Sequence, residues 1–180
     1  MQNPVTGSGG MLMGSVAKIG SALQDRNDLK VGDRIASLVS LSLTPLHIDE
    51  ILAVHPDTDR VDIKGQAILF ESGIYAKLPD DMPEALALAA LDVAGAPAQT
   101  ANIVKPGDSV LILGAGGKSG MLCGYEAMKR VGPCGNVVGM SRNNRPEKTL
   151  LDNHFVHKFF VADAAKPVEV LESALELYLL

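Results

Sequence analysis

The chain has 180 residues, 47% of them hydrophobic, which is enough to bury a core and too apolar for a disordered tail. A net charge of −5 with no run of Lys or Arg is the wrong balance for a polyanion-binding surface, and 4% aromatics with no Trp argue against a lectin-like or base-stacking one. Cys123 and Cys134 belong to no C-x-x-C pair, so their spacing supplies neither a zinc ribbon nor a disulfide framework and suits a reducing cytoplasm.

Residues Met1 to Gly7 offer no basic or apolar signal region, and Ala85 to Leu91, the longest apolar helical run, is too short to span a bilayer. The expectation is a soluble, cytoplasmic protein with no membrane and no nucleic-acid partner. Residues 1–80 are β-branched and punctuated by Gly, Asp and Pro. Short apolar units at 14–20, 33–39, 51–54 and 60–64 read as strands of a β-barrel or sandwich, with Leu29-Lys-Val-Gly-Asp33 as a turn setting Gly32 just before a strand. The texture changes at Leu78-Pro-Asp-Asp-Met-Pro83. Pro83 starts a helix there, Asp81 is its candidate cap and Glu84 complements its dipole.

Residues 85–93 are an Ala/Leu helix, apolar on nearly every side and so expected to be buried between domains, ending near Gly95-Ala-Pro97. A second helical stretch, 98–104, stops at Lys105-Pro-Gly-Asp108. Beyond it the chain has βαβ pattern: an apolar strand Ser109–Leu113, a glycine-rich turn Gly114–Gly120, a helix from Met121 to Val131 and a second strand Asn136–Met140. Helical residues 150–155, a third strand 157–161 and a helix opening at Pro167 and running to Leu180 complete the chain. From residue 171 onward that last helix is expected to present an apolar face. No internal repeat or low-complexity segment is present.

The turn reads Gly114-Ala-Gly116-Gly117-Lys118-Ser119-Gly120. After a strand, a first glycine permits the tight turn, a second lets pyrophosphate approach the backbone, and the helix N-terminus offers free N–H groups and a positive dipole end. The strand, turn, helix and second strand arrive in order, which is the context a dinucleotide-binding fingerprint requires. Its third glycine falls at position 119, where Ser119 stands and Gly120 follows; Ser is small enough to be tolerated. A Walker A loop fits poorly, because its first glycine would occupy the place of Ile112, inside the strand. At the end of the second strand an NAD site usually carries Asp or Glu, whereas this chain has Ser141 and Arg142, a pair that can accept a 2′-phosphate and leans towards NADP.

A β-rich module, a helical connector and a Rossmann unit follow the order of the medium-chain dehydrogenase/reductase superfamily. Leu29-Lys-Val-Gly-Asp-Arg-Ile35 and Val104-Lys-Pro-Gly-Asp-Ser-Val-Leu-Ile-Leu-Gly114 look like its recurring phrases. Asn3–Met11, Leu38–Leu46, Ala67–Pro79, Leu91–Gln99 and Gly114–Gly120 resemble the L-erythro-3,5-diaminohexanoate dehydrogenase family of lysine fermentation. That resemblance covers essentially the whole chain. It implies an α/β fold, with a GroES-like β-barrel portion over 1–80, a helical connector over 81–105 and the first half of a Rossmann doubly wound parallel sheet over 106–180. It further implies oxidation of an amine-bearing carbon by hydride transfer to NAD, imine hydrolysis to 5-amino-3-oxohexanoate and ammonium, and a homo-oligomer when complete. NADP stays open beside NAD because of Ser141 and Arg142.

Zinc-using members of the superfamily carry Gly-His-Glu where this chain has Gly9-Gly10-Met11, and their cysteine cluster is missing. His47, His55, His154 and His157 have no ligand spacing, so no catalytic zinc is expected. Activation of the carbon–hydrogen bond then rests on amine deprotonation and placement against the nicotinamide. Asp92 is the candidate for binding a substrate ammonium group and Glu71 a weaker one. Gly114, Gly116, Gly117, Lys118, Ser119, Gly120, Ser141 and Arg142 are the candidate cofactor contacts. With only the adenine-side half expected, the segment alone should bind cofactor weakly and turn nothing over. The alternatives are a zinc-free NADP-dependent quinone- or enoyl-reductase-like enzyme and a non-catalytic dinucleotide-sensing module.

Overall fold

The computed structural model describes residues 10–24 and 28–178. Gly9, most of the Asn3–Met11 phrase and the expected helix end at residues 179–180 lie outside them. The chain divides into two compact units, residues 1–92 and 93–180, and the division runs through the helical stretch 81–105.

In the first unit, β1 (Leu12–Ser15) pairs antiparallel with β2 (Arg34–Ser37), and β2 with β5 (Tyr75–Lys77). The turn before β2 closes because the Lys30 N–H donates to Asp33 Oδ2 at 2.9 Å. The same device recurs before the first Rossmann strand, where the Lys105 N–H donates to Asp108 Oδ2 at 2.8 Å. Between β2 and β5 the chain leaves the sheet and forms a separate two-stranded ribbon, β3 (Leu46–His55) with β4 (Arg60–Ala67). The expected barrel or sandwich is therefore a three-stranded sheet plus a ribbon among the described residues. Helix α1 (Glu84–Leu91) lays Ala87, Leu88 and Leu91 on a small core with Ala36 and Leu78.

Three expectations for this region are corrected. Pro83, not Asp81, stands at the N-cap of α1, with no side-chain cap bond. Glu84 stands in the first turn of α1 as expected, and its carboxylate also accepts from Arg34 Nε at 3.0 Å, fastening α1 to β2. Helix α1 is not buried: only Ala87 is, and Leu86 is exposed. Finally, Gly95-Ala-Pro97 opens a helix rather than ending one, since α2 runs Gly95–Ile103 with Pro97 in its first turn, where the absent N–H costs nothing.

The second unit is a parallel sheet of β6 (Ser109–Leu113), β7 (Asn136–Ser141) and β8 (Lys158–Val161) in that order. Register runs Ser109↔Asn136 through Leu113↔Met140, then Val138↔Lys158 through Ser141↔Val161. Helix α3 (Lys118–Val131) turns Gly120, Gly124, Ala127 and Val131 inwards, a small-residue face that lets it lie close to the sheet. Val137, Val138 and Met140 of β7, Ala127, Val131 and Leu150 are essentially without solvent exposure. Helix α4 (Glu147–Asp152) supplies Leu150, and α5 (Pro167–Tyr178) buries Val170 and Ala174 while Val168, Leu171 and Leu175 stay exposed, a second apolar stripe as the sequence predicts. No helix among the described residues is long and apolar enough to cross a membrane.

Candidate nucleotide-binding site

The site grows from where β6 ends. Gly114 has φ +76°, a left-handed conformation that favours glycine and reverses the chain at once. The N–H groups of Gly114 and Ala115 both donate to the carbonyl of Met140, at 3.0 and 2.9 Å, tying the turn to the end of β7. Gly117 is the N-cap of α3, its N–H donating to Gly114 O at 3.1 Å, and Lys118 is the first helical residue. The helix thus begins three residues before the Met121 start expected from the sequence, with Lys118, Ser119 and Gly120 in its first turn.

Electrostatics at this end favour an anion. Among the described residues no hydrogen bond engages the backbone N–H of Gly116, Ser119 or Gly120, and the first turn holds no acidic residue. The positive end of the macrodipole is left open to a phosphate. At the far end Lys129 and Arg130 stand in the last turn, both paired with Glu126; the Arg130 guanidinium, with Lys129 after it, holds that carboxyl below its ordinary value.

The glycines divide their work differently from the fingerprint count. A Cβ at Gly120 would lie 2.3 Å from Gly114 O and 2.6 Å from Ala115 Cα, so this residue, and not position 119, is where helix and turn pack backbone to backbone. Ser119 is only half-buried and is not asked to fit that gap. The small-residue face Gly120, Gly124, Ala127, Val131 was the sequence signal for this register. Gly116 is faced by the ring of Pro146, which belongs to no part of the fingerprint.

Ser141 is the last residue of β7, its carbonyl accepting from the Ala162 N–H at 3.1 Å. Exposed Arg142 follows it. The structure therefore gathers Gly114, Gly116, Gly117, Lys118, Ser119, Gly120, Ser141 and Arg142 along the ends of β6 and β7 in one unit, where a parallel α/β sheet holds its ligands. Asp92 lies in the other unit as the C-cap of α1, its N–H donating to Leu88 O at 2.9 Å. Glu71 sits in the loop before β5, between Phe70 and Ser72, which line an apolar groove of about 190 Å³ together with Val39 and Leu43.

The histidines are dispersed. His47 lies 3.2 Å from Asp49 and His55 3.0 Å from Asp62, both on the ribbon. His154 takes φ +54° after α4, and His157 Nδ1 accepts the Val137 N–H at 2.9 Å, a structural bond between strands. Among the described residues no group of three His, Cys, Asp or Glu is placed to hold a metal ion.

An antiparallel β module leading into a Rossmann unit with this turn is the fold of the medium-chain dehydrogenase/reductases. Consistent with it, the structure resembles a solved quinone oxidoreductase of Pseudomonas syringae pv. tomato at TM-score 0.54 and 19% identity, covering 97% of this chain and 48% of that one. Residues 1–79 match the family described as the L-erythro-3,5-diaminohexanoate dehydrogenase N-terminal domain. The chain is 70% identical over 175 residues to the L-erythro-3,5-diaminohexanoate dehydrogenase of Acetoanaerobium sticklandii, covering 97% of this chain and 51% of the relative. It is 66% identical over 176 residues to that of Fusobacterium nucleatum, covering 98% and 51%. The chain spans about half the length of the curated relatives it matches.

Proposed function

We propose that this chain forms part of an NAD-dependent L-erythro-3,5-diaminohexanoate dehydrogenase that oxidises the amine-bearing carbon of its substrate in lysine fermentation. The observation that carries the reading is the 70% identity to a protein of that name over 97% of this chain. The likeness to quinone oxidoreductase is one of fold and carries no substrate.

The site geometry fits a dinucleotide. The open N–H groups of Gly116, Ser119 and Gly120 at the head of α3 would hold the pyrophosphate, with Lys118 beside them, while Ser141 and Arg142 meet the adenosine ribose. When bound, the cofactor supplies a hydride acceptor; this chain's residues bind and orient it. For the amino-acid substrate, Asp92 is proposed to hold an ammonium group as a carboxylate, with Glu71 second to it.

The test is cofactor reduction, followed by absorbance, on offering 3,5-diaminohexanoate with NAD or NADP to the full-length protein. Reduction of NAD supports the proposal as stated. Reduction of NADP alone keeps the reaction and makes Arg142 a 2′-phosphate ligand. No reduction of either by folded protein overturns it.

A further inference from the structure

The fingerprint reading gives the second glycine of such a turn to the pyrophosphate, which needs the space a side chain would fill. In this protein that space is already taken. A Cβ built on Gly116 would lie 2.5 Å from Pro146 Cγ and 2.6 Å from Pro146 Cβ, inside the 3.0 Å that real Cβ atoms essentially never enter. Its three nearest neighbours are all atoms of the proline ring. Gly116 does not have a positive φ, unlike Gly114, so its backbone conformation makes no demand for glycine. Space for Pro146 does.

Pro146 ends a short segment whose two ends both rest on the glycine turn. At the start, the carbonyl of Met140 receives the N–H groups of Gly114 and Ala115. Ser141 and Arg142 come next, then a compact turn in which the Arg145 N–H donates to Asn143 Oδ1 at 3.1 Å and the Glu147 N–H to Asn144 O at 3.1 Å. Pro146 closes it as the N-cap of α4, its carbonyl accepting from the N–H of fully buried Leu150 at 2.9 Å. Proline suits this place twice, since its φ is fixed and no N–H is left unpaired at the head of a helix.

We infer that Gly116 is glycine to admit the Pro146 ring, and that Pro146 is a positioning residue which sets the segment Ser141–Arg145, the ribose end of the nucleotide site, against the phosphate turn. This rests on the dinucleotide reading of the turn and deepens it. The pyrophosphate is then met by the N–H groups of the helix head, and the ribose by a segment clamped at both ends.

A double-mutant cycle tests it on the intact protein, with Gly116→Ala, Pro146→Gly and the pair, read by titration with NAD, ADP-ribose and inorganic pyrophosphate and by thermal midpoint. Each single change should weaken NAD and ADP-ribose by about tenfold, and the pair should lose no more than either single change, because the clash and the ring leave together. Pyrophosphate affinity should stay within about twofold for Pro146→Gly, a readout that general loosening of the fold would move. Pro146→Ala, which keeps a small side chain at that place and disturbs the helix head less, should fall between the unaltered protein and Pro146→Gly.

Additive losses in the pair, or equal loss of pyrophosphate and ADP-ribose, overturn the inference and return Gly116 to the ligand. If the unaltered, folded protein binds none of the three probes, the dinucleotide reading itself falls. The two failures are therefore told apart.

Discussion

The β3–β4 ribbon and the parallel sheet β6–β8 both carry apolar residues that seek cover, and they end in opposite states. In the ribbon, directly opposed residues sort by face: Leu46/Ala67, Ile48/Gly65, Ile51/Ile63 and Val54/Val61 on one side, His47/Gln66, Glu50/Lys64, Ala53/Asp62 and His55/Arg60 on the other. The sorting survives two register shifts, at which β3 advances an extra residue, Asp49 and then Leu52, against β4. Yet Ile51 and Val54 are 59% and 61% exposed, and among the described residues neither strand bonds to a third. Val137 and Val138, by contrast, sit in a strand paired on both edges beneath α3, and are fully buried. Apolar patterning says which face seeks cover, while cover itself comes from neighbours.

Substitutions should separate the two regions sharply. Leu150→Ala, at a site without exposure in the core of the parallel unit, should cost ~2–5 kcal/mol of stability. Ile51→Ala on the ribbon should stay within about 0.5 kcal/mol. Thermal unfolding measures both, and hydrogen exchange should show amides of β6 and β7 protected while those of β3 exchange fast. Comparable losses at the two positions would mean that the ribbon face is packed in solution.

Within the parallel unit the glycine register supplies a finer contrast. Gly120→Ala places a methyl against the backbone of Gly114 and Ala115 and should cost about 1–3 kcal/mol, with weaker dinucleotide binding. Ser119→Gly should be worth well under that, about the 0.5–1 kcal/mol of a glycine in a helix. A larger loss at 119 than at 120 would restore the fingerprint count. His157→Ala removes the acceptor of the N–H of fully buried Val137 and should cost about 1–3 kcal/mol.

How much the sequence makes legible depends on range. The βαβ order can be read because a continuous apolar strand, a glycine turn and an amphipathic helix are each local. Ribbon strand β3 is legible only as its fragment 51–54, since the extra residues Asp49 and Leu52 break the period of two. β5, three residues long, carries no period at all and escapes a reading by pattern. Pro97 reads as a stop because proline marks both ends of helices, and only the structure shows which. The candidate contacts around the turn are found by motif, but the partner of Gly116 lies thirty residues on, at Pro146, and no spacing rule reaches it.

The smallest expected effect concerns the sheet beside the ribbon, where β5 is fastened at the surface. Tyr75 Oη donates to Asp28 Oδ1 at 2.5 Å, and Lys77 Nζ lies 3.1 Å from Asp33 Oδ2 and 3.5 Å from Asp28 Oδ2. The Tyr75 hydroxyl, with the Lys77 charge after it, holds Asp28 below its ordinary 3.8, and the Lys30 N–H with Lys77 does the same for Asp33. Carboxyls so depressed stabilise the fold fully above 3.8 and lose that contribution as pH falls through their lower folded values. Lys77 is raised above 10.5 by its bond to Asp33, so its share is present below that pH and lost as pH rises through its folded value. All these groups face solvent, where salt screens them, so the effect is a slope and not a collapse. Tyr75→Phe should flatten the acid limb of thermal midpoint against pH by removing the donor to Asp28, and added salt should flatten it in the unaltered protein. An acid limb unchanged by both would place the acid sensitivity outside this cluster.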